Sequence, residues 1–236
     1  MRNYVIINGK STKELRGIMV NELPPITKPS IRTQVEQIDG RDGDIITKLG
    51  YASYDKTITI GLFGGGYDVD EIIAFFNSEG TITFSNEEDK FYCFTMVSQL
   101  DIESLLRFKT ASITFHCQPF KYSTIRFEEN FPVATKSFTV FNQGNIYSKP
   151  IYEITGTGTI NLSIDGTQRV VIDLGESSKT ITIDTEKLDA YDSNNLLLNR
   201  SITGDYTNLF LNVGYSTVTW SGTITSFKLK KATRWL

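Results

Sequence analysis

The sequence predicts a mainly β protein in two parts. The first is an N-terminal α+β domain, a β-sandwich with one helix and an extended arm; the second is an all-β sandwich. Three observations carry this. Short β-branched or alternating runs, bounded by Gly, Asn, Asp and Ser, recur along the whole chain. Helical periodicity is convincing in one segment only. Near residues 119–136 the composition shifts from charge-rich to rich in Thr, Ser, Asn and Gly. A chain of 236 residues suits two domains of roughly 100–130 residues, expected at 1–132 and 133–236.

In the first part, Lys56–Ile60, Thr81–Phe84, Phe91–Val97 and Ala111–Cys117 read as strands. Asp68-Val69-Asp70-Glu71 reads as a capping box, with Asp68 accepting from first-turn amides and Glu71 reaching back. Ile72, Phe75 and Phe76 then share one helical face, and Gly80 can end the helix. Pro24 to Gly50 is a long polar excursion. Pro24, Pro25 and Pro29 keep its start extended, and Gly40-Arg41-Asp42-Gly43 forms a sharp polar turn. So long a segment outside a core fits either a surface loop or an arm that packs against a neighbouring subunit.

Pro119-Phe120 is expected to end a strand, and Pro132 to break the next extended run. Beyond them Ser137–Phe141, Thr159–Ile164, Arg169–Leu174, Lys179–Asp184, Asn208–Val213, Thr217–Trp220 and Thr223–Lys230 read as strands. Asp165-Gly166 between two of these is a tight-turn signal. Glu186 to Tyr191 reads as a weaker helix or a turn.

Composition excludes several classes of function. Net charge is −3, and no basic face is apparent, so nucleic-acid sequence recognition is not expected. Lys228, Lys230, Lys231 and Arg234 alternate with Phe227 and Leu229 and read as the solvent face of a strand. No apolar run is long enough to span a bilayer, so no membrane insertion is expected. The first ten residues lack the apolar core of a signal peptide, so synthesis and folding in a cytosol are expected. There the two cysteines, Cys93 and Cys117, are expected to be buried free thiols.

No catalytic constellation emerges, and no enzyme activity, cofactor or metal is expected. The lone histidine, His116, is adjacent to Cys117; on a strand their side chains point to opposite faces and cannot form a nucleophile–base pair. Glu87-Glu88-Asp89 reads as a solvated hairpin tip, and the carboxylates at Asp68, Asp70 and Glu71 as helix-end chemistry. Asp165-Gly166-Thr167 and Asp192-Ser193-Asn194-Asn195 lack the spacing of a calcium loop and read as turns. Trp220 and Trp235 are the candidates for stacking on a sugar, against a core reading for Trp220, which alternates with Val218.

The ordered set of these features resembles the distal tail protein family of siphophages and prophages of Gram-positive bacteria. The resemblance runs through Ile7-Asn8-Gly9, Leu15-Arg16-Gly17-Ile18, the Gly40-Arg41-Asp42-Gly43 turn, the helix with Ile72, Phe75 and Phe76, and Phe115-His116-Cys117-Gln118-Pro119-Phe120. It continues through Asn142-Gln143-Gly144, Ser148-Lys149-Pro150-Ile151, Trp220-Ser221-Gly222 and Arg234-Trp235. Gly214-Tyr215-Ser216 departs from the family's usual Gly-x-Asn, and no carbohydrate-binding insertion is visible.

The resemblance implies a ring-forming N-terminal domain and a galectin-like C-terminal sandwich. It implies a homo-hexamer at the tail tip of a virion, on the tail tube, with a channel through which DNA can pass. Its partners would be the major tail (tube) protein, the tail-associated protein and receptor-binding proteins. Gly40, Arg41, Asp42 and Gly43 are then assembly candidates. The alternative is a carbohydrate-binding module that recognises host cell-wall sugars through Trp220 and Trp235.

Overall fold

The computed structural model describes residues 2–76, 79–96, 98–125 and 127–236. The chain forms two compact units, Met1–Thr124 (with Leu236) and Ile125–Trp235. The division falls ahead of the expected residue 132 because Phe127–Phe131 is a strand of the second unit. It pairs antiparallel with Phe227–Lys231.

The first unit contains strands β1 (Val5–Ile7), β2 (Lys10–Ser11), β3 (Ile18–Glu22), β4 (Ile31–Glu36), β5 (Ile45–Tyr51), β6 (Tyr54–Leu62), β7 (Gly80–Phe84), β8 (Lys90–Met96) and β9 (Thr110–Ser123). All except β4 and β5 join one curled sheet in the order β2-β1-β7-β8-β9-β6-β3. Its centre is the β6–β9 ladder, in register from Tyr54 opposite Cys117 to Gly61 opposite Thr110. Alternation buries Lys56, Ile58 and Ile60 on one strand and Ile113, Phe115 and Cys117 on the other. The predicted strand Phe91–Val97 matches β8, except that Val97 lies outside the described residues.

Helix α1 (Val69–Phe76) forms where the capping signal predicts it. Asp68 Oδ1 accepts from Asp70 N at 2.9 Å and Glu71 N at 3.4 Å, while Ile72 and Phe76 are buried. A second helix, α2 (Ile102–Phe108), corrects the expectation of one. It is a seven-residue element with a single buried side chain, Leu105, too short to show a periodic face. Asp101 caps it, accepting from Ser104 N at 2.9 Å, and Lys109 ends it in the left-handed conformation that glycine usually takes.

Pro119 does not end its strand: β9 continues to Ser123. Opposite β8 the register jumps, with Phe94 facing Cys117 and Tyr92 facing Lys121. Pro119 therefore sits in a bulge, where its missing N–H breaks no ladder bond.

The second unit contains β10 (Phe127–Phe131), β11 (Ser137–Asn142), β12 (Ile151–Ile164), β13 (Thr167–Asp173), β14 (Lys179–Asp184), β15 (Asp189–Tyr191), β16 (Ile202–Gly204) and β17 (Gly214–Lys231). Two long strands, β12 and β17, pair with each other and change register together near Gly156 and Gly222. The first half of β12 carries β14 and β15, and the second half carries β13 and β16. On β17, the first half pairs with β11 and the last with β10. One bent ribbon thus supplies strands to both layers of a sandwich.

The bend demands glycine. A Cβ on Gly222, whose φ is +94°, would lie 2.4 Å from the Thr159 carbonyl oxygen, and one on Gly156 would lie 2.3 Å from that of Thr223. The layers enclose one core that includes Tyr152, Ile154, Leu162, Val170, Ile181, Trp220 and Phe227. The predicted tight turn is present, with Asp165 at φ 52° and Gly166 at φ 76° between β12 and β13.

Two expectations here need correction, and a third, left open between helix and turn, resolves as a turn. Residues 186–188 are a turn and not a helix: Asp184 Oδ1 accepts from Glu186 N and Lys187 N, both at 3.0 Å, but Leu188 takes φ 59° and the chain enters β15. Asn208–Val213 is irregular, held at Ser148 opposite Leu211; its alternating Leu209 and Leu211 fill the core without a strand partner. Arg234 is not on a solvent face. It is 1% exposed, its Nε donates to the Tyr147 carbonyl at 2.9 Å, and Glu186 lies 3.5 Å from its Nη1. Lys228 and Lys230 do face outward, across the sheet from Glu153 and Glu128, whereas Lys231 falls in phase with the buried Phe227 and Leu229 and, with its side chain 15% exposed, pairs with Glu129.

Trp220 is 6% exposed and packs against Phe227 and Phe138, with ring centroids at 5.2 and 6.0 Å. Trp220→Ala is expected to destabilise the second unit by about 3–5 kcal/mol, read as a lower denaturation midpoint for far-UV ellipticity without loss of the first unit's transition.

Candidate functional site: an exposed apolar hairpin

Strands β4 and β5 form a two-stranded hairpin that pairs with no other strand among the described residues. All of β4 is solvent-exposed, as are the five central residues of β5. An isolated two-stranded ribbon is marginal in water, and this one carries an unusual surface. Val35 and Ile46 face each other across the ladder and are 52% and 62% exposed. Ile31 shares their side of the ribbon by alternation. A register shift between Arg32 and Thr33 sets Leu49 off the pairing, and it too is exposed, as are Ile26 below the hairpin and Ile38 beyond it.

The tip is the predicted polar turn. Gly40 and Gly43 have φ +81° and +79°, and Arg41 N donates to the Ile38 carbonyl at 3.1 Å. Gly40, Arg41, Asp42 and Gly43 are all exposed. The charges between residues 26 and 50 cancel: Lys28, Arg32, Arg41 and Lys48 against Glu36, Asp39, Asp42 and Asp44. A neutral arm with an apolar stripe is suited to a protein surface and not to a polyanion.

The root is held firmly. Leu23 packs on the core, and Pro24 and Pro29 are buried. Ala52 N donates to the Ser30 carbonyl at 2.8 Å, and Tyr51 meets Phe120 edge-on at 5.6 Å. Lys56 Nζ donates to the Pro25 carbonyl and Asn86 Nδ2 to the Pro24 carbonyl, both at 3.1 Å.

Around Lys56 lies a buried polar cluster. Burial lowers the Lys56 pKa, raises those of Tyr54 and Cys117 to about 12, and raises that of Tyr92. Glu87 turns inward, which corrects the expectation of a wholly solvated Glu87-Glu88-Asp89 tip. Its carboxylate accepts from Tyr92 Oη and Lys121 Nζ, the latter at 3.0 Å. Neither Lys56 nor Asn86 stands out in the sequence as functional. The available signal is Lys56 itself, a cation at an inward position of the alternating run Tyr54, Lys56, Ile58, Ile60.

Nothing in this arrangement composes a nucleophile and base. His116 Nδ1 lies 2.8 Å from Asp55 Oδ1 on the exposed side of the β6–β9 ladder, while Cys117 faces the core. Among the described residues no three His, Cys, Asp or Glu side chains converge as metal ligands. Asp165 and Asp192 spend their carboxylates on backbone amides, Asp165 on Thr217 N and Asp192 on Asn194 N and Leu196 N. Of the two sugar-stacking candidates, Trp220 is in the core and Trp235 is half-buried. The most exposed of the second unit's exposed aromatic rings is instead Tyr215, 76% exposed, with its centroid 4.7 Å from that of Phe141. Among the described residues, no helix is long and apolar enough to cross a membrane.

The body thus carries an apolar ribbon that pairs with no other strand among the described residues, and the comparisons relate its first unit to a domain of phage tail proteins. Residues 7–117 match the family model of the phage tail protein RIFT-related domain. The whole chain has the fold of the Dit protein (gp 19.1) of phage SPP1, described as a paradigm of the hub adsorption apparatus in phages that infect Gram-positive bacteria. The two share 16% identity with a TM-score of 0.77 over 100% of each chain.

Chains of the phage p2 baseplate in its activated conformation also match. The calcium form gives a TM-score of 0.51 at 10% identity over 98% of both chains. The strontium form gives 0.52 at 10% over 98% of this chain and 97% of that one. No curated protein sequence matches the chain. The resemblance to siphophage distal tail proteins read from the motifs is borne out by the family model over residues 7–117 and by the fold of the whole chain.

The buried cluster sets an alkaline limit on stability. Cys117 and Tyr54 ionise near 9.0 and 10.0 when unfolded but near 12 when folded. Above pH 9 the unfolded chain therefore releases protons that the folded chain retains, and stability falls as pH rises through this window. Lys56 acts in the opposite sense but is outweighed by Cys117, Tyr54 and Tyr92. The melting temperature of the first unit is expected to fall progressively from pH 9 upward in a calorimetric series. Cys117 should resist iodoacetamide at pH 8 until the protein is unfolded.

Proposed function

We propose that this protein is a distal tail protein that assembles as a homo-hexameric ring on the tail tube, at the tail tip of a virion. The first unit builds the ring around a channel that passes DNA, and the second, a galectin-like sandwich, projects a docking face. The tube protein binds one side, the tail-associated protein the other, and receptor-binding proteins the outward sandwich. The chain is synthesised in the cytoplasm of the bacterial host before it joins the virion.

The observation that carries this reading is the hairpin of residues 31–51. A heterologous ring needs an element that leaves its own subunit and is satisfied only on the next one. A ribbon with Ile31, Val35 and Ile46 in water and no further strand partner among the described residues is such an element. Gly40-Arg41-Asp42-Gly43 then lets the ribbon turn back within the neighbour's surface.

Because Thr33 and Lys48 are directly paired, the arm can be shortened without disturbing its root by replacing residues 34–47 with Asn-Gly. The intact protein is expected to form hexamers by light scattering, alone or on purified tail tubes, with rings visible by electron microscopy. The shortened protein is expected to stay monomeric with both units folded. Rings from the shortened protein would remove the arm from the interface. An intact protein that stays monomeric both alone and on tubes would defeat the ring itself. Val35→Asp and Ile46→Asp, at exposed sites, should each alter monomer stability by no more than about 0.5 kcal/mol while weakening assembly at least tenfold.

A further inference from the structure

The arm's direction is set at one place. The chain leaves β3 through Leu23-Pro24-Pro25, and neither proline has an N–H to enter a ladder. The two proline carbonyls still need donors. They receive them from side chains on two different elements of the body, Asn86 in the β7–β8 turn and Lys56 near the start of β6, each at 3.1 Å.

Lys56 is the unusual member. It is 2% exposed, and among the described residues no carboxylate forms an ion pair with it. The nearby carboxylate of Glu87 is occupied by Lys121 and Tyr92. The Lys56 ammonium instead rests among aromatic rings, 4.9 Å from the Tyr92 centroid, 5.1 Å from that of Tyr54 and 6.0 Å from that of Phe84. Burying a cation without an anion is costly, and an apolar side chain of the same length would suit this core position better. A residue that breaks the local packing rule in this way is expected where something other than stability is served.

Taking the arm as the assembly element proposed above, we propose that Lys56 and Asn86 are positioning residues: a two-point clamp on the Pro24 and Pro25 carbonyls that aims the arm before any partner arrives. Two donors anchored on separate elements, a strand and a turn, fix both the position and the twist of the strap, which a single hydrogen bond would not. The Ser30–Ala52 bond and the Tyr51–Phe120 contact then carry that orientation into the hairpin. A pre-aimed arm lowers the ordering cost of docking on the next subunit.

The clamp can be read in single subunits, apart from any ring. Spin labels at Asp42→Cys on the tip and Glu103→Cys on α2, in a Cys93→Ser background, report the arm's distance from its own body. The full-length chain is spin-diluted in unlabelled protein, and pulsed dipolar spectroscopy gives the distance distribution. A single narrow distribution is expected for the parent. Lys56→Met and Asn86→Ala should each broaden it at least twofold, while amide-exchange protection of β6 and β9 stays unchanged. Lys56→Gln, which keeps an N–H donor, should narrow it again.

A distribution as narrow in Asn86→Ala and Lys56→Met as in the parent would overturn the clamp. If Lys56→Met does not fold, Asn86→Ala alone decides. Broadening in a protein that forms no rings would uphold the clamp and sink the ring. Narrow distributions in variants that still form rings would do the reverse.

Discussion

The first unit depends on the ladder between β6 and β9. It is the longest regular pairing in that sheet, eight residues in register, and every other element is placed by it. One face of the ladder buries Ile58, Ile60, Ile113 and Phe115 at zero exposure, which by area alone is the largest favourable term available to strands of this length. The same alternation that hides these residues forces Lys56 inward, two positions from Ile58, and puts Asp55 and His116 outside. Lys56 sits at the tyrosine end of the ladder, and there the chain needs a donor for a proline carbonyl. The cost of one buried cation is offset by the aromatic shell around it and by the hydrogen bond it makes.

The second unit solves a different constraint. A sandwich needs two layers, yet its longest strands, β12 and β17, belong to both. Glycines at 156 and 222 let the paired strands bend together, because each backbone approaches the opposite carbonyl more closely than any Cβ permits. The aromatic cluster of Phe131, Phe138, Trp220 and Phe227 fills the space beneath this bent ribbon. Trp220 is therefore spoken for by packing, and the most exposed aromatic pair is Tyr215 and Phe141, at the start of β17 and the end of β11.

What the sequence made legible follows from how local the signal is. The α1 cap at Asp68, the Asp165-Gly166 turn and the alternating strands depend on residues within a few positions of one another, and they appear where expected, with Asn208–Val213 the exception. Elements decided by distant partners did not show. Helix α2 is a short cap under a sheet with no periodic face. Pro119 is tolerated only because β8 offers a bulge there. Glu87 and Arg234 look like surface charges until Tyr92 and Lys121, or Tyr147 and Glu186, are brought beside them by the fold. The arm was half legible: its prolines and glycines mark an excursion, but strand pairing between residues 31 and 51 with the apolar side chains left in water is a property of the folded chain.

That arm sharpens the contrast with ordinary surface loops. Loops that serve no partner tend to be polar, because exposed apolar side chains invite aggregation. Here five aliphatic residues on the hairpin and its tip, Ile31, Val35, Ile38, Ile46 and Leu49, remain in water, yet charged residues of both signs alternate with them and cancel. Charge cancellation removes long-range repulsion between copies, and interspersed charges keep the ribbon soluble until it meets a matching surface. The proposed ring of identical subunits would need both properties in one element, since each copy would have to offer an arm and accept one without repelling its neighbour. The root at Pro24, Pro25 and Pro29 fits that proposal, because an arm that docked in a closed ring would have to leave every subunit at the same angle.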